Sequence, residues 1–173
     1  LRGAVLFPTT VMPITVGREK SVKLVRQAYK DNKPIGALTQ LDSSVEDPSM
    51  IDLYNIGTLA RIIKIIEMPD GNITVIIQGL TRFRTVEQLA SKPYLVARVE
   101  YLKDIAPDEK DPELQMIISS IKDAALEVVK LAPSLPSEAG MAIKNIDSSE
   151  FLVNFIASSV DIEDPLEKMK LLE

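Results

Sequence analysis

The residue types that carry most enzyme chemistry are missing from this sequence. Its 173 residues include no His and no Cys, which removes imidazole bases, thiolate nucleophiles, disulfides and nearly all structural zinc sites. No Gly is followed directly by Lys, so the phosphate-binding loop of ATPases is also missing. A Ser–Lys pair stays open, because counting residues does not exclude it. We predict no catalytic, cofactor or metal site in this chain.

One acidic cluster invites a metal-binding or acid–base interpretation. It contains Asp104, Asp108, Glu109, Asp111 and Glu113. The spacing of a calcium loop with its central Gly is not present. We therefore favour a solvated linker whose carboxylates cap helix ends.

Two arginines, Arg82 and Arg84, lie two positions apart and share one face of a predicted strand. They could contact acidic segments of a partner, but cross-strand pairing with Glu100 or a similar acid is the favoured interpretation. The net charge is −5 and the pI about 4.9, with basic residues interleaved among acids. Because binding to a phosphate backbone needs clustered Lys and Arg, no nucleic-acid partner is predicted.

The predicted secondary-structure elements divide the chain into a β-rich first part and a helical second part. In the first hundred or so residues, apolar runs at 59–66 and 73–77 flank Pro69-Asp70-Gly71-Asn72, which predicts a β-hairpin. Further strands are predicted at Ala4–Phe7, Ile14–Val16, Arg82–Val86 and Tyr94–Leu102. Apolar residues at helical spacing predict one helix between Gly17 and Lys30.

After an acidic linker at Asp104–Pro112, the apolar period becomes helical. Asp111 and Pro112 are expected to begin the first of these helices, and Pro133 and Pro136 to end it. Asp147 with Glu150, and Asp164 with Pro165, predict two more helix starts. The stripe of the first helix consists of Leu114, Ile117, Ile118, Ile121, Ala125, Val128 and Leu131. No stretch approaches the ~20 apolar residues of a membrane span.

The residue sequences of several short motifs, and their order along the chain, resemble those of the amino-terminal, substrate-binding domain of Lon proteases. A Pro-Asp-Gly turn alone would be weak, but an ordered series across about seventy residues is specific. The matching segments are Phe7-Pro8, Met12-Pro13, Val16-Gly17-Arg18-Glu19-Lys20-Ser21, Asp52-Leu53, Ile56-Gly57-Thr58, Met68-Pro69-Asp70-Gly71 and Gln78-Gly79-Leu80 with Arg82 and Arg84. The helical half is similar through Leu135-Pro136-Ser137-Glu138 and Asn145-Ile146-Asp147.

The resemblance implies an α+β fold in two parts. A β-rich, PUA-like pseudo-barrel would occupy residues 1–105, and a helical bundle leading to a truncated connector helix would occupy 106–173. The resemblance implies a non-catalytic function. The domain would recognise damaged, misfolded or regulatory proteins, including unfolded or degron-bearing ones, and would support the assembly of a homohexamer. ATP, Mg and the Ser–Lys dyad of the implied bacterial, cytoplasmic protease would belong to downstream modules, with no membrane partner.

A receptor for unfolded proteins needs adaptable apolar surface, to which Met is suited. The candidate contacts are Phe7, Met12, Leu53 and Met68, which lie beside turns and prolines. The alternative is that all four belong to the core or close its ends.

A second function stays open, that of a free-standing Lon-domain adaptor without a protease. The start at Leu1 rather than Met and the lack of a stop signal after Met169 favour a truncated piece of a longer protein.

Overall fold

The computed structural model describes residues 1–69, 72–131, 138–162 and 164–173. Residues 1–103 with 157–173 form one compact unit and residues 104–156 form a second. The tip of the predicted hairpin at Asp70-Gly71, and the predicted helix end at Pro133 and Pro136 with the neighbouring Leu135 motif, lie outside the described residues. The sequence-based boundary after residue 105 is close to the first junction, whereas the last helix groups with the sheet unit.

A five-stranded antiparallel sheet forms the first unit, in the order β1-β4-β3-β2 with β5 also paired to β4. Arg84 of β4 pairs with both Ile56 and Glu100, so β5 lies on the side of β4 away from β3. The predicted hairpin strands are confirmed, and the second is longer than expected. The strands are β1 (Val11–Val16), β2 (Ile35–Ala37), β3 (Ile56–Glu67), β4 (Ile73–Ala90) and β5 (Val96–Tyr101).

One face of this sheet is covered by helix α1 (Glu19–Lys30). Val75 and Ile77 of β4 are completely buried, at 0% exposure. Val25 and Ala28 of α1 belong to the same apolar cluster. The alternation of apolar residues along β4 therefore sets the core, as the 2-residue period of a strand requires.

A Schellman motif ends α1 and turns the chain towards β2. Asn32 has a positive φ of 51°, and its N–H donates to Tyr29 O at 3.2 Å. Lys33 N–H donates to Ala28 O at 2.9 Å. These bonds satisfy carbonyls that the helix end would otherwise leave unpaired.

The last helix, α5 (Pro165–Leu172), packs in a second apolar cluster of the sheet unit. Its predicted start is confirmed, since the Asp164 carboxylate accepts from Leu166 N–H at 2.9 Å. Arg82 reaches the other end and donates to Leu172 O at 2.7 Å and Glu173 O at 3.0 Å. Met169 and Leu172 of α5 are buried with Phe7.

The second unit is built from helices, and its longest helix is less buried than the strands of the sheet unit. Asp111 begins α2 (Pro112–Leu131) as predicted, accepting from Glu113 N–H at 2.9 Å. No residue of α2 is buried, although Lys122 donates to Ile146 O at 2.6 Å. The remaining helices are α3 (Glu138–Lys144) and α4 (Ser149–Ser159).

Two local predictions were wrong. Ala4–Phe7 is not a strand: the Ala4 and Leu6 carbonyls accept from side-chain hydroxyls, Thr39 at 2.7 Å and Thr58 at 2.6 Å, where a strand would pair with backbone N–H groups. The cap of α4 is Ser148, whose hydroxyl accepts from Phe151 N–H at 3.1 Å. Asp147 precedes that cap by one position, and boundaries of this kind shift easily between adjacent Ser and Asp residues.

Candidate functional site

The acidic linker carries structural contacts. Asp108 accepts from Lys110 N–H at 3.0 Å, and Glu109 accepts from the Ser149 hydroxyl. No group of three or more potential ligands could hold a metal ion within the part of the chain that the structure describes. Asp111 is thus a helix cap, as expected, whereas Asp108 stabilises the loop before α2 and Glu109 contacts the first residue of α4.

The two arginines have different surroundings. Arg82 caps α5, as described above. Arg84 is exposed and lies opposite Glu100 in the strand register. The predicted cross-strand neighbour is therefore confirmed for Arg84, whereas Arg82 binds helix carbonyls that the sequence did not indicate.

The four predicted contact residues do not form one surface. Phe7 is 1% exposed and belongs to the core. Met12 is half-buried and packs against the cluster under α1. Leu53 is half-buried, in a bridge with Gln40, and Met68 is 43% exposed at the end of β3. Phe7 has no surface for a partner, so Met12, Leu53 and Met68 stay candidates.

The sheet face opposite α1 is largely exposed and carries both apolar and polar residues, and we call it the outer face. Directly opposed residues of antiparallel strands share a face, so the register defines its members. Across β1, β4 and β3 the opposed rows place no carboxylate on it. The outer face consists of Val11, Pro13 and Thr15 of β1, Gln78, Ile76 and Thr74 of β4, and Arg61, Lys64 and Ile66 of β3.

The outer face combines polar and apolar residues. Its polar members are Thr15, Gln78, Thr74, Arg61 and Lys64, and its apolar members are Val11, Pro13, Ile76 and Ile66. Val11 is 54% exposed and Ile66 39%, and a bulge after Ile62 inserts Ile63, 45% exposed, into β3. Large apolar side chains left this exposed on a sheet face are candidates for contact with a partner.

A hollow of about 210 Å³ lies at the β3 margin of this face. It shares Arg61 with the outer face, and Leu80, 40% exposed, forms part of its wall. The site is smaller than typical small-molecule pockets of ~300–1,000 Å³ and suits a single side chain better. The lining consists of Ala28, Tyr29, Asn32, Lys33, Pro34, Arg61, Ile62 and Leu80.

The sequence contains only a weak signal for these residues. The outer set of β1 is Val11, Pro13 and Thr15, whereas that of β4 is Thr74, Ile76 and Gln78, so one strand is more apolar than a solvated face requires and the other is not. Only the strand register shows that these two sets and Arg61, Lys64 and Ile66 of β3 share one face.

One perturbed group has a structural cause. Burial, followed by the charges of Asp164 and Glu173, raises the pKa of the Tyr54 phenol. This shift follows from packing in the sheet unit and does not by itself indicate proton-transfer chemistry. Among the described residues, no helix is both long and apolar enough to cross a membrane.

Comparison with known proteins gives a consistent result. The family model described as the ATP-dependent protease La (LON) substrate-binding domain matches residues 1–173. The Lon protease of Flavobacterium johnsoniae is 45% identical over 162 residues, covering 94% of this chain and 20% of that protein. The Lon protease of Cytophaga hutchinsonii is 43% identical over 173 residues, covering 100% and 21%. The chain thus spans about a fifth of these relatives.

Solved structures share the fold. The Lon N-terminal domain from the Mycobacterium avium complex has a TM-score of 0.74 at 14% identity, covering 98% of this chain and 85% of that one. A Lon N-terminal domain protein from Xanthomonas campestris has a TM-score of 0.67 at 19% identity, covering 99% and 86%. With the family model matching from the first residue to the last, the chain belongs to the Lon substrate-binding domain family.

Proposed function

We propose that this chain is the non-catalytic amino-terminal domain of an ATP-dependent Lon serine protease. There it recognises damaged, misfolded or regulatory proteins and supports a homohexameric assembly. The family match over residues 1–173 supports the assignment, as do relatives named Lon protease. In this proposal, ATP, Mg and the Ser–Lys dyad act in downstream modules, and the protein works in a bacterial cytoplasm without nucleic-acid partners.

The observation that carries the recognition role is the outer face with its exposed apolar residues. A misfolded protein differs from its native form chiefly in exposing apolar segments, and the exposed Val11, Ile63 and Ile66 of the sheet offer apolar area against which they can be buried. Met68 lies beyond the end of β3 and is 43% exposed, so its flexible side chain extends this surface. Met12, which packs under α1, and Leu53 are half-buried away from the outer face and stay proposed contacts of their own.

The finer architecture is part of the proposal. The sheet, with the irregular segment before β1, is taken as a PUA-like pseudo-barrel over residues 1–105. The resemblance implies that the helices after it form a bundle over 106–173; because α5 packs with the sheet unit, the proposed bundle is limited to the helices before α5. The Asp111 cap of α2 and the contact of Lys122 with Ile146 O support a helical subdomain in this region.

Removing residues 1–173 from the parent protease tests this role. Because tethering a substrate raises its local concentration, we expect degradation of an unfolded reporter protein to fall by about tenfold or more. Hydrolysis of a short fluorogenic peptide is the control and should persist in any assembled enzyme. Mass measurement of the complex separates a recognition defect from an assembly defect. Unchanged degradation of both folded and unfolded reporters would contradict the proposal.

A free-standing adaptor without protease activity is the alternative. The two functions differ in the coding sequence that follows Glu173. A phosphate-binding loop encoded downstream would support the protease domain, and an immediate stop codon would support the adaptor.

A further inference from the structure

The outer face carries a charge pattern that is opposite to that of the whole chain. The chain has a net charge of −5, yet the charged members of this face are Arg61 and Lys64. Lys33 adds a third cation in the adjoining hollow. Negative charges near a bound segment would therefore be attracted to this face.

These cations are available to a ligand to different degrees. Arg61 donates to the Gln78 amide oxygen across the strands at 2.6 Å, which orients its guanidinium along the outer face. Lys64 and Lys33 are exposed and have no ion-pair partner within residues 1–69, 72–131, 138–162 and 164–173. By contrast, Lys20 and Arg26 elsewhere in this unit are paired with Asp47 and Glu67.

The apolar and charged groups alternate on a scale that suits an extended chain. Ile66 and Lys64 are two positions apart on β3, so both lie on the outer face. Val11 and Ile76 lie on the neighbouring strands, and the hollow opens beside Arg61. An extended segment can place one apolar side chain in the hollow and adjacent carboxylates near the cations.

We infer that the outer face, with the hollow, binds unfolded polypeptide segments in which apolar residues lie next to Asp or Glu. This inference rests on the proposed function and specifies the substrate class and the surface. The occupant is a protein segment, since the hollow is too small for a typical ligand and the charge complements acidic flanks.

Fluorescence anisotropy with the 173-residue chain tests this inference. The probes are a labelled Leu/Val peptide flanked by Asp, the same peptide flanked by Lys, and an Asp-flanked peptide with Ser in place of Leu and Val. We expect the first to bind tightest, with an affinity that falls as salt screens the charges. Binding of the Ser peptide equal to the first would overturn the apolar part of the inference.

Charge reversal gives a matched pair of variants. Lys64→Glu should lower the affinity for the Asp-flanked peptide by about fivefold and raise the affinity for the Lys-flanked peptide, because the attraction between Lys64 and the Asp flanks becomes a repulsion. Lys92→Glu, at an exposed position after β4, makes the same change in net charge and should leave the order of affinities unchanged. Equal effects of the two variants would overturn the assignment of this face.

An isosteric pair tests the apolar contribution. Val11→Thr, at a residue 54% exposed on the outer face, should weaken binding by about fourfold, the value of roughly one buried methyl group. Val128→Thr on α2, at 60% exposure, is the control. Circular dichroism and melting temperature confirm that each variant is folded.

The outcomes separate this inference from the proposed function. If the chain binds the peptides but all outer-face variants behave as wild type, the surface is wrong and the recognition role stands. If the chain binds no unfolded polypeptide, both fail. Sedimentation showing that the outer face is buried in a dimer, with Val11→Thr dissociating it, would also overturn the inference in favour of a second copy.

Discussion

The strands of the sheet unit and helix α2 of the helical unit bury their apolar residues to very different extents. In the sheet unit, Ala60, Val75 and Ile77 have 0% exposure. In the helical unit, α2 has no buried residue, and Leu131 is 76% exposed. The difference follows from geometry: a strand between two others and under a helix is enclosed, whereas a helix stripe is enclosed only where another element covers it.

This contrast shows what an amphipathic pattern does and does not predict. The predicted apolar stripe of α2 is visible in the burial pattern. Ile118 and Ile121 of the stripe are half-buried, whereas Gln115 and Asp123 outside it are exposed. Yet Ile117 and Val128 of the same stripe are 50% and 60% exposed. The pattern predicts which side of the helix turns inward, but the amount of burial depends on what packs against it.

The largest expected effect is in the sheet unit. Phe83 is 2% exposed, and a Cβ added at Gly36 would lie 2.9 Å from its Cζ. Phe83→Ala should therefore leave a cavity and lower the free energy of unfolding by about 3–5 kcal/mol. Val128→Ala in α2 should change it by less than about 0.5 kcal/mol. Urea denaturation measures both, and comparable losses would show that the units do not differ in packing.

Two glycines provide a second comparison between the units. A Cβ at Gly79 would lie 2.1 Å from Phe7 O, a backbone atom that cannot easily move. Gly79→Ala should therefore destabilise the protein by about 1–3 kcal/mol. A Cβ at Gly140 in α3 would lie 3.4 Å from the Leu126 side chain and 3.9 Å from that of Val129.

For Gly140→Ala we expect the opposite sign, a stabilisation of about 0.5–1 kcal/mol, because Ala favours the helix and restricts the unfolded chain. Thermal unfolding of the two variants side by side is the measurement. A loss of stability in Gly140→Ala would mean that α3 is packed more tightly than its neighbours indicate.

Arg82 tests whether α5 depends on the sheet. Its guanidinium donates to Leu172 O and Glu173 O at the helix end. Arg82→Ala should cost about 1–2 kcal/mol and speed hydrogen exchange in α5, since charged donors to these carbonyls are lost. Arg82→Lys keeps the positive charge near the helix end and should restore part of the protection. Unchanged exchange in α5 would show that its apolar contacts alone hold it.

The sequence predicted the strands, helices and helix caps along the chain better than it predicted which residues lie on the surface. The hairpin strands, α1, the Asp111 cap and the Asp164 cap follow from local rules of periodicity and capping, and the structure confirms them. The irregular segment before β1 could not be predicted, because its buried Val5, Leu6 and Phe7 look like a strand. Its conformation depends on Gly79, seventy residues away in the sheet.

The residues of the candidate site were harder to predict from the sequence for a related reason. Phe7 and Met68 both lie beside prolines, but one is 1% and the other 43% exposed. Adjacent turns do not determine burial, since the elements that cover a residue come from elsewhere in the chain. The outer face required the register of three strands, which no local pattern contains.

The smallest expected effect concerns a polar loop of the sheet unit, where burial contributes little. The Asp52 carboxylate accepts from the Ser49 N–H at 2.9 Å and the Ser49 hydroxyl at 2.7 Å, closing a capping box on the turn Met50–Asp52. The hydroxyl bond, followed by the backbone bond, lowers the pKa of Asp52. Because the folded state favours the charged form, its contribution is present above the unfolded pKa of ~3.9 and is lost as pH falls through the folded pKa.

Denaturation of wild type and Asp52→Asn between neutral and acidic pH measures this contribution. The stability difference should be greatest near neutral pH and disappear on acidification, because protonated wild type resembles the amide. Asp161→Asn is the control, since Asp161 is exposed and has no hydrogen-bond partner in the described part of the chain. A difference that persists at low pH would mean that the Asp52 effect is steric. It would then belong with the packing effects that dominate the sheet unit.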